Sequence, residues 1–176
     1  LWEGPNGEMP ESGCCTASDS EDARKVASKL DIPYYVLDYT ESFSKNVVDN
    51  FTQMYAQGLT PNPCVECNRS VKFDHFINQA KKLNCDKVAT GHYAKIIKNN
   101  GKYELHKADY LNKDQSYVLH MLKSSDLENI TFPLGEISKP DVRQIAARNG
   151  LKTAFKKDSQ DICFVGKKDY RSFVEK

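Results

Sequence analysis

The stretch Thr60-Pro61-Asn62-Pro63-Cys64-Val65-Glu66-Cys67-Asn68-Arg69 constrains the backbone more than any other part of this chain. Its two prolines fix two φ angles and remove two amide donors, so the stretch cannot lie inside a regular helix or strand. The sequence therefore predicts a shaped loop. The two cysteines near its end, three positions apart, could bind one ligand, form a disulfide or present one thiol as a nucleophile.

The cellular compartment of the protein decides how the six cysteines of this 176-residue chain are interpreted. The apolar runs span a few residues, whereas a membrane helix needs about 20, and no signal-peptide segment is visible at the N-terminus. The sequence thus predicts cytoplasmic localisation without membrane contact. Cytosolic thiols are more often catalytic or metal-binding than paired in structural disulfides. With 39% hydrophobic residues the chain can build a core without such staples.

Helical and strand-like patterns alternate along the chain. A capping box at Ser18 opens a helix to about residue 30, and a β-prone run over residues 33–38 follows. Apolar periodicity predicts helices over residues 43–55 and 73–83, and residues 87–92 are the next candidate strand. This order, with short connections, predicts an α/β fold in which a mostly parallel sheet is flanked by helices.

The second half of the chain predicts a β-hairpin insertion in this fold. Asn99-Asn100-Gly101 between the β-prone runs 94–98 and 102–107 is a strong hairpin signal. Helical patterns follow at residues 117–122 and at residues 138–150. Because ligands of parallel sheets bind at the carboxyl ends of strands, the end of the strand over residues 87–92 is a candidate binding position.

Two cysteines have surroundings that suit a reactive thiol. Cys67 lies at the predicted start of a helix with Arg69 and Lys72 nearby, and Cys163 lies in a tail whose residues 152–171 carry a net charge of +3. Cys85, in a turn, is interpreted as inert. A closed zinc site is disfavoured because no second Cys-x-x-Cys or His-x3-His pair occurs.

Four stretches together resemble, in order and spacing, the tRNA-specific 2-thiouridylases. They are residues 60–68, 89–93, 112–117 and 157–164, and Phe132-Pro133-Leu134-Gly135 also fits. The resemblance implies an adenine nucleotide alpha-hydrolase-like, Rossmann-like domain of the PP-loop pyrophosphatase type. Residues 1–165 would form most of that domain without its N-terminal phosphate loop. Residues 166–176 would begin the connection to a central tRNA-binding domain, and the sequence would be a piece of a longer chain.

The resemblance also implies an activity, ATP-dependent 2-thiolation of the wobble uridine of tRNA by a transferase. It assigns Cys163 as the carrier of a persulfide sulfur and Cys67 as the nucleophilic partner thiol, which releases sulfide or forms a disulfide with Cys163. Target-base contacts are implied for Asn62, Pro63 and Cys64, an ATP contact for Gly91, and tRNA contacts for His92, Lys113, Asp114 and Gln115. ATP with Mg²⁺ and an upstream persulfide sulfur donor protein complete the implied set.

One departure from the family pattern opens an alternative. Many members carry Asp at the position of Cys64, so a proton transfer by a carboxylate there is not available to this chain. Instead, Cys64, Cys67 and Cys163 could ligate a [4Fe-4S] cluster that serves the same reaction. Two further hypotheses are a non-catalytic metal- or redox-binding module and a relative in the same pyrophosphatase superfamily with another substrate.

Overall fold

The computed structural model of the chain describes residues 16–158, 162–165 and 170–175. The chain divides into two compact units, one within Leu1–Pro63 and Lys156–Lys176 and the other within Cys64–Phe155. The region around Cys14 and Cys15 and residues 159–161 of the fourth motif lie outside the described residues. Among the helices that the structure describes, none has both the length and the apolar character needed to span a bilayer.

The first unit opens with helix α1, Ala17–Lys29. Its N-cap is Thr16, whose hydroxyl accepts a hydrogen bond from the Asp19 amide at 3.1 Å, while the Asp19 carboxylate accepts one from the Thr16 amide at 3.2 Å. The predicted helix is confirmed, but the predicted capping box at Ser18 is wrong. A capping box forms two residues earlier, with Asp in place of Glu as the returning acid.

The strand predicted over residues 33–38 is wrong for the described chain. No strand is formed there, and Ile32, Tyr35 and Val36 are 54%, 68% and 60% exposed. A strand exists only where a neighbouring strand pairs with its backbone, and the described part of the first unit holds none. A β-prone composition alone is therefore not sufficient to form a strand over residues 33–38.

Aromatic side chains form the core of the first unit. A continuous helical run consists of α2 (Thr40–Phe43), a π-helical segment (Ser44–Val48) and α3 (Asp49–Ala56), followed much later by α7 (Tyr170–Val174). Phe51 on α3 is 1% exposed and lies edge-on to Phe164, with ring centroids 5.2 Å apart. Tyr55 stacks on Tyr170 at 5.1 Å, so α7 packs on the same cluster.

The second unit contains two pairs of strands. Strand β1 (Val88–Ala89) pairs in parallel with β4 (Ile130–Thr131), and β2 (Ala94–Asn99) pairs antiparallel with β3 (Lys102–Lys107). The α/β class, the parallel pairing and the hairpin are thus confirmed. Asn100 and Gly101 join β2 to β3 with φ angles of 48° and 78°. Both central residues are left-handed, as this two-residue hairpin turn requires.

Helices surround these strands within the second unit. Helix α4 (Pro63–Glu66), which spans the boundary of the two units, a π-helical segment (Cys67–Asp74) and α5 (His75–Lys82) form one run, and α6 (Lys139–Arg148) follows β4. The three short 3-10 helices are Leu111–Lys113, Ser116–Val118 and Leu127–Asn129. The core consists of Phe73, Ile77, Val88, Ala94, Val118, Leu119, Ile130 and Phe132.

Two predictions about these helices have different outcomes. The prediction for α6 is confirmed, because the Ser138 hydroxyl caps the helix by accepting a hydrogen bond from the Asp141 amide at 3.3 Å. The helix predicted over residues 117–122 is wrong, since only the short turn Ser116–Val118 forms there. Of the apolar residues that carried this prediction, Val118 is buried but Tyr117 and Met121 are 63% and 45% exposed, so the helical periodicity did not mark the core here.

Candidate functional site

The proline-framed stretch is irregular over residues 60–62, as predicted, but it is helical from Pro63 onward, where the predicted loop is wrong. Pro63 is the first residue of α4, where its missing amide hydrogen leaves no helical hydrogen bond unmade. The boundary between the two units falls directly after it. Cys64 is exposed on α4, and Cys67, which is partly buried, begins the π-helical segment. π-Helical segments are rare and are often found at functional sites.

The two cations predicted near Cys67 have different partners. The Arg69 guanidinium forms an ion pair with the Glu66 carboxylate, including a hydrogen bond of 3.3 Å from Nε to Oε2. This partner raises the pKa of Arg69 above its ordinary value and compensates its charge. Lys72 forms no ion pair within the described part of the chain. Within the segment Cys67–Asp74, Arg69 is therefore compensated by an ion pair, whereas Lys72 is a cation for which the described residues provide none.

His92, three residues after the end of β1, is held by an aromatic pair and a hydroxyl. Its Nδ1 lies 2.8 Å from the Thr90 hydroxyl, and its ring centroid lies 6.0 Å from those of Phe73 and Phe132. Burial, helped by the positive charge of Lys72, lowers the pKa of His92 to about 4. The imidazole is consequently neutral at physiological pH. The predicted contact of His92 with tRNA stays a prediction.

The neutral state of His92 makes protein stability depend on pH. An unfolded histidine binds a proton near pH 6.5, whereas the folded His92 does so only near pH 4, so lowering the pH through this window favours the unfolded state. Between pH 7 and pH 5 we expect the protein to lose at most about 2 kcal/mol more stability than its His92→Gln variant. Urea unfolding of both proteins at each pH measures this difference. Equal losses in the two proteins would contradict a depressed pKa.

The residue after His92 is bound to the predicted tRNA-contact stretch. The main-chain N–H of Gln115 donates a hydrogen bond to the Tyr93 carbonyl at 2.8 Å. The main-chain N–H of Tyr93 donates one to the side-chain oxygen Oε1 of Gln115 at 3.0 Å. Two reciprocal bonds hold these segments in one fixed alignment. The Gln115 side chain is thus engaged inside the protein, and its predicted contact with tRNA stays a prediction.

Asp114 also has a structural role in this stretch. Its carboxylate accepts hydrogen bonds from the Ala108 amide at 2.9 Å and from the Ser116 hydroxyl at 2.7 Å. Burial alone would raise the pKa of Asp114, but these bonds, the Ala108 amide first, bring it below its ordinary value. The carboxylate is therefore ionised and shapes the loop that presents Lys113. Direct tRNA contacts of Lys113 and Asp114 stay predictions.

Asn68 brings the helix of Cys67 into this arrangement. Its Nδ2 donates a hydrogen bond of 3.1 Å to the carbonyl of Val118, just beyond the 112–117 motif. Within the second unit, three of the sequence motifs thus meet through hydrogen bonds and shared core contacts. Sequence reasoning missed Asn68 and Tyr93 as members of this site. The sequence did carry a signal for both, since Asn68 ends the motif over residues 60–68 and Tyr93 ends the motif over residues 89–93.

Cys163 lies in the first unit, whereas Cys67 lies in the second. Cys163 is partly buried, and its neighbour Phe164 is 6% exposed within the aromatic core. In the predicted basic tail, the ammonium of Lys156 bonds two carboxylates of α1, those of Asp19 at 2.7 Å and Asp22 at 2.6 Å. The charge of Lys156 is thus compensated by these two carboxylates.

Metal ligation was tested on the described side chains alone. Within residues 16–158, 162–165 and 170–175, no group of three or more His, Cys, Asp or Glu side chains could hold a metal ion. We therefore assign no residue to Mg²⁺. The iron-sulfur cluster that sequence reasoning offered as an alternative stays a prediction.

Comparison with known proteins connects this arrangement to a family. The family model described as the tRNA methyl transferase HUP domain matches residues 1–167. A tRNA-specific 2-thiouridylase MnmA of Chloroflexus aurantiacus is 47% identical over 175 residues, which cover 99% of this chain and 49% of that protein. Proteins of the same name from Leptospira biflexa and Clostridioides difficile are each 46% identical, over 99% and 100% of this chain and 46% and 49% of theirs. The chain spans about half the length of the curated relatives it matches.

Proposed function

Because the chain belongs to the tRNA methyl transferase HUP domain family, we propose that it is the nucleotide-binding part of an ATP-dependent tRNA sulfurtransferase. The reaction is replacement of the 2-oxygen of the wobble uridine by sulfur. The similarity of nearly the whole chain to proteins named tRNA-specific 2-thiouridylase carries this proposal. The hydrogen-bonded meeting of the Cys67 helix, the His92 segment and the stretch from Lys113 to Val118 supports it.

The chemical task explains why ATP is needed. A uracil carbonyl oxygen is a poor leaving group, so it first attacks the α-phosphate of ATP and displaces pyrophosphate. Sulfur then adds to C2 of the base, and AMP departs with the original oxygen. The protein must hold an unstacked nucleotide for this step, as enzymes that modify bases do. Asn62, Pro63 and Cys64 are the proposed contacts to that base; Asn62 and Cys64 are exposed, and Pro63 is buried.

A persulfide on Cys163 supplies the sulfur, and the Cys163 and Cys67 sulfurs together supply the electrons that reduce it. The terminal sulfur of a Cys163 persulfide is transferred to C2, and the Cys67 thiol attacks the Cys163 sulfur. The two electrons that reduce the transferred sulfur come from these thiols, which end as a Cys67–Cys163 disulfide. A thiol reductant then restores both residues. Alternatively, Cys67 attacks first and releases hydrosulfide, which adds to the base with the same electron balance.

The proposed partners follow from this chemistry. A protein that carries sulfur as a persulfide loads Cys163, and ATP is used with Mg²⁺. Lys72 and Lys113 supply positive charge toward the tRNA backbone, and neutral His92 supplies a hydrogen bond. We place the reaction in the cytoplasm, where its tRNA substrate is found. We further propose that residues 1–165 belong to the PP-loop domain and that residues 166–176 lead into a central tRNA-binding domain.

Formation of 2-thiouridine tests this proposed function. The full-length protein is incubated with ATP, a loaded persulfide donor and unmodified tRNA, and the nucleosides are separated and weighed by mass spectrometry. We expect 2-thiouridine only when ATP is present, and none in a control tRNA that carries cytidine at the wobble position. If no tRNA gains sulfur under these conditions, the proposed activity is wrong.

Gly91 gives a separate test of nucleotide binding. A Cβ atom on Gly91 would lie 3.7 Å from Leu134 Cδ1, an ordinary contact, so the fold leaves room for alanine. If the backbone of Gly91 approaches the nucleotide, the added methyl group should raise the KM for ATP by about tenfold or more. The KM for tRNA and the melting temperature should stay as in the parent. An unchanged KM for ATP would exclude Gly91 as an ATP contact.

The iron-sulfur alternative is tested by the composition of the purified protein. A cluster would use Cys64, Cys67 and Cys163, a thiolate set that suits iron. Anaerobic purification followed by iron and acid-labile sulfide analysis decides between the two routes. Colourless, iron-free and fully active full-length protein would rule the cluster out. Activity that rises in proportion to bound iron would rule out the route through persulfide alone.

A further inference from the structure

Asn68, the residue after Cys67, is buried and bonded to a distant part of the chain. It is 3% exposed, and its Nδ2 donates a hydrogen bond of 3.1 Å to the main-chain oxygen of Val118. Val118 ends the 3-10 turn that follows the stretch from Lys113 to Gln115. The bond spans 50 positions of sequence, so it joins two stretches that only the tertiary fold brings together.

The other polar atom of the same side chain is not used. Asn68 Oδ1 is buried and has no hydrogen-bond partner among the residues that the structure describes. A buried acceptor without a donor is unfavourable, and an apolar side chain of similar size would avoid that cost. Fold stability alone therefore does not account for an amide at this position. The bond from Nδ2 to Val118 is what the amide adds.

The bond from Asn68 to Val118 belongs to a set of hydrogen bonds that connects the Cys67 helix with the segments of Gln115 and Tyr93. Beyond Val118, the Gln115 main chain and side chain make the two reciprocal bonds to Tyr93, at 2.8 and 3.0 Å. Tyr93 directly follows His92. A displacement at Asn68 would therefore change the position of Cys67 relative to both segments that we propose to contact substrate.

We propose that Asn68 is a positioning residue that fixes Cys67 relative to the stretch from Lys113 to Val118. The inference rests on the proposed function, because the fixed position of Cys67 matters only if Cys67 takes part in sulfur transfer to bound tRNA. Misplacing a reacting group by about 1 Å can cost around a hundredfold in rate. Loss of the hydrogen bond between Asn68 and Val118 should therefore lower the rate of the chemical step and leave substrate binding intact.

The test compares Asn68→Leu with Asn78→Leu in the full-length protein. Asn78 makes the matched control because it is exposed and its Nδ2 donates a local hydrogen bond of 2.7 Å to the Asp74 carbonyl, four residues earlier in the same helical run. We expect Asn68→Leu to lower kcat by about tenfold or more. The KM for ATP and the Kd for tRNA should stay within about twofold, and the control should behave as the parent.

A second measurement does not depend on activity. The rates at which iodoacetamide alkylates Cys67 and Cys64 are followed by peptide mass spectrometry, and their ratio reports the position of Cys67 with Cys64 as internal reference. We expect Asn68→Leu to change this ratio by about threefold or more, and Asn78→Leu to leave it unchanged. If Asn68→Leu does not fold, Asn68→Ala and Asn78→Ala are compared in the same way.

The outcomes separate the inference from the proposed function. An inactive parent protein overturns the proposed function, and the alkylation ratio still decides the role of Asn68. An active parent with kcat and alkylation ratio both unchanged in Asn68→Leu overturns the inference alone. Losses of kcat, binding and melting temperature in parallel would also overturn it, because they indicate a merely structural role.

Discussion

Replacing Cys163 with serine in the full-length protein is expected to abolish tRNA thiolation, with a loss of at least about a thousandfold. A serine hydroxyl cannot hold a persulfide, so the transferred sulfur has no carrier. Cys67→Ser should lose activity to a similar extent because no second thiol remains to attack the Cys163 sulfur. Thiolated tRNA per enzyme is measured under single-turnover and multiple-turnover conditions.

Cys85→Ser is the matched control for these substitutions. Cys85 is exposed, and the only contact of its sulfur that the structure describes is a weak one, 3.9 Å to the Leu83 carbonyl. This variant should thiolate tRNA at the parental rate and melt at the parental temperature. Full activity in Cys163→Ser would show that the persulfide role is wrong. A failure of Cys163→Ser to fold would favour the interpretation of the cysteines as structural.

The largest effect on stability is expected from Gly135→Ala. A Cβ atom on Gly135 would lie 2.1 Å from the main-chain oxygen of Ala94 and 2.7 Å from Lys95 Cγ, and the backbone contact cannot be relieved by a rotamer change. Ala94 is fully buried. The Gly135 carbonyl accepts a hydrogen bond of 2.9 Å from the main-chain N–H of Asp109. Separating these segments should cost about 3 kcal/mol or more.

Gly91→Ala provides the control for this effect. It adds the same methyl group at a position where the nearest atom is the far end of the Leu134 side chain, 3.7 Å away. Urea unfolding of the full-length protein should show a strongly reduced midpoint for Gly135→Ala and a parental midpoint for Gly91→Ala. Equal midpoints would mean that β2 and the Phe132–Gly135 stretch do not need this close approach.

Local signals in the sequence predicted local structure well. Ser138 and Pro140 mark the start of α6, and Asn100 with Gly101 closes the hairpin, because caps and tight turns depend on a few neighbouring residues. The loop predicted for residues 60–69 extends only as far as Asn62. Proline excludes the interior of a helix but is favourable at its first turn, which is where Pro63 lies.

Contacts between distant segments could not be predicted in this way. The strand expected over residues 33–38 lacks a described neighbour, and β4 at Ile130–Thr131 was not anticipated because two residues carry no periodicity. The bonds of Asn68 to Val118 and of Gln115 to Tyr93 arise only after the chain has folded. The predicted roles of Cys67, Cys163 and Gly91 rest on motifs that are contiguous in the sequence, and they stay predictions.

The central claim is that Cys163 carries the sulfur that reaches tRNA. The most direct measurement is the mass of the Cys163 peptide from full-length protein that has been loaded by a persulfide donor and trapped by alkylation before and after addition of ATP and tRNA. We expect a mass gain of one sulfur atom on this peptide after loading, and its loss in step with the appearance of 2-thiouridine. Thiolation of tRNA by protein whose Cys163 peptide never carries the extra sulfur would contradict the account.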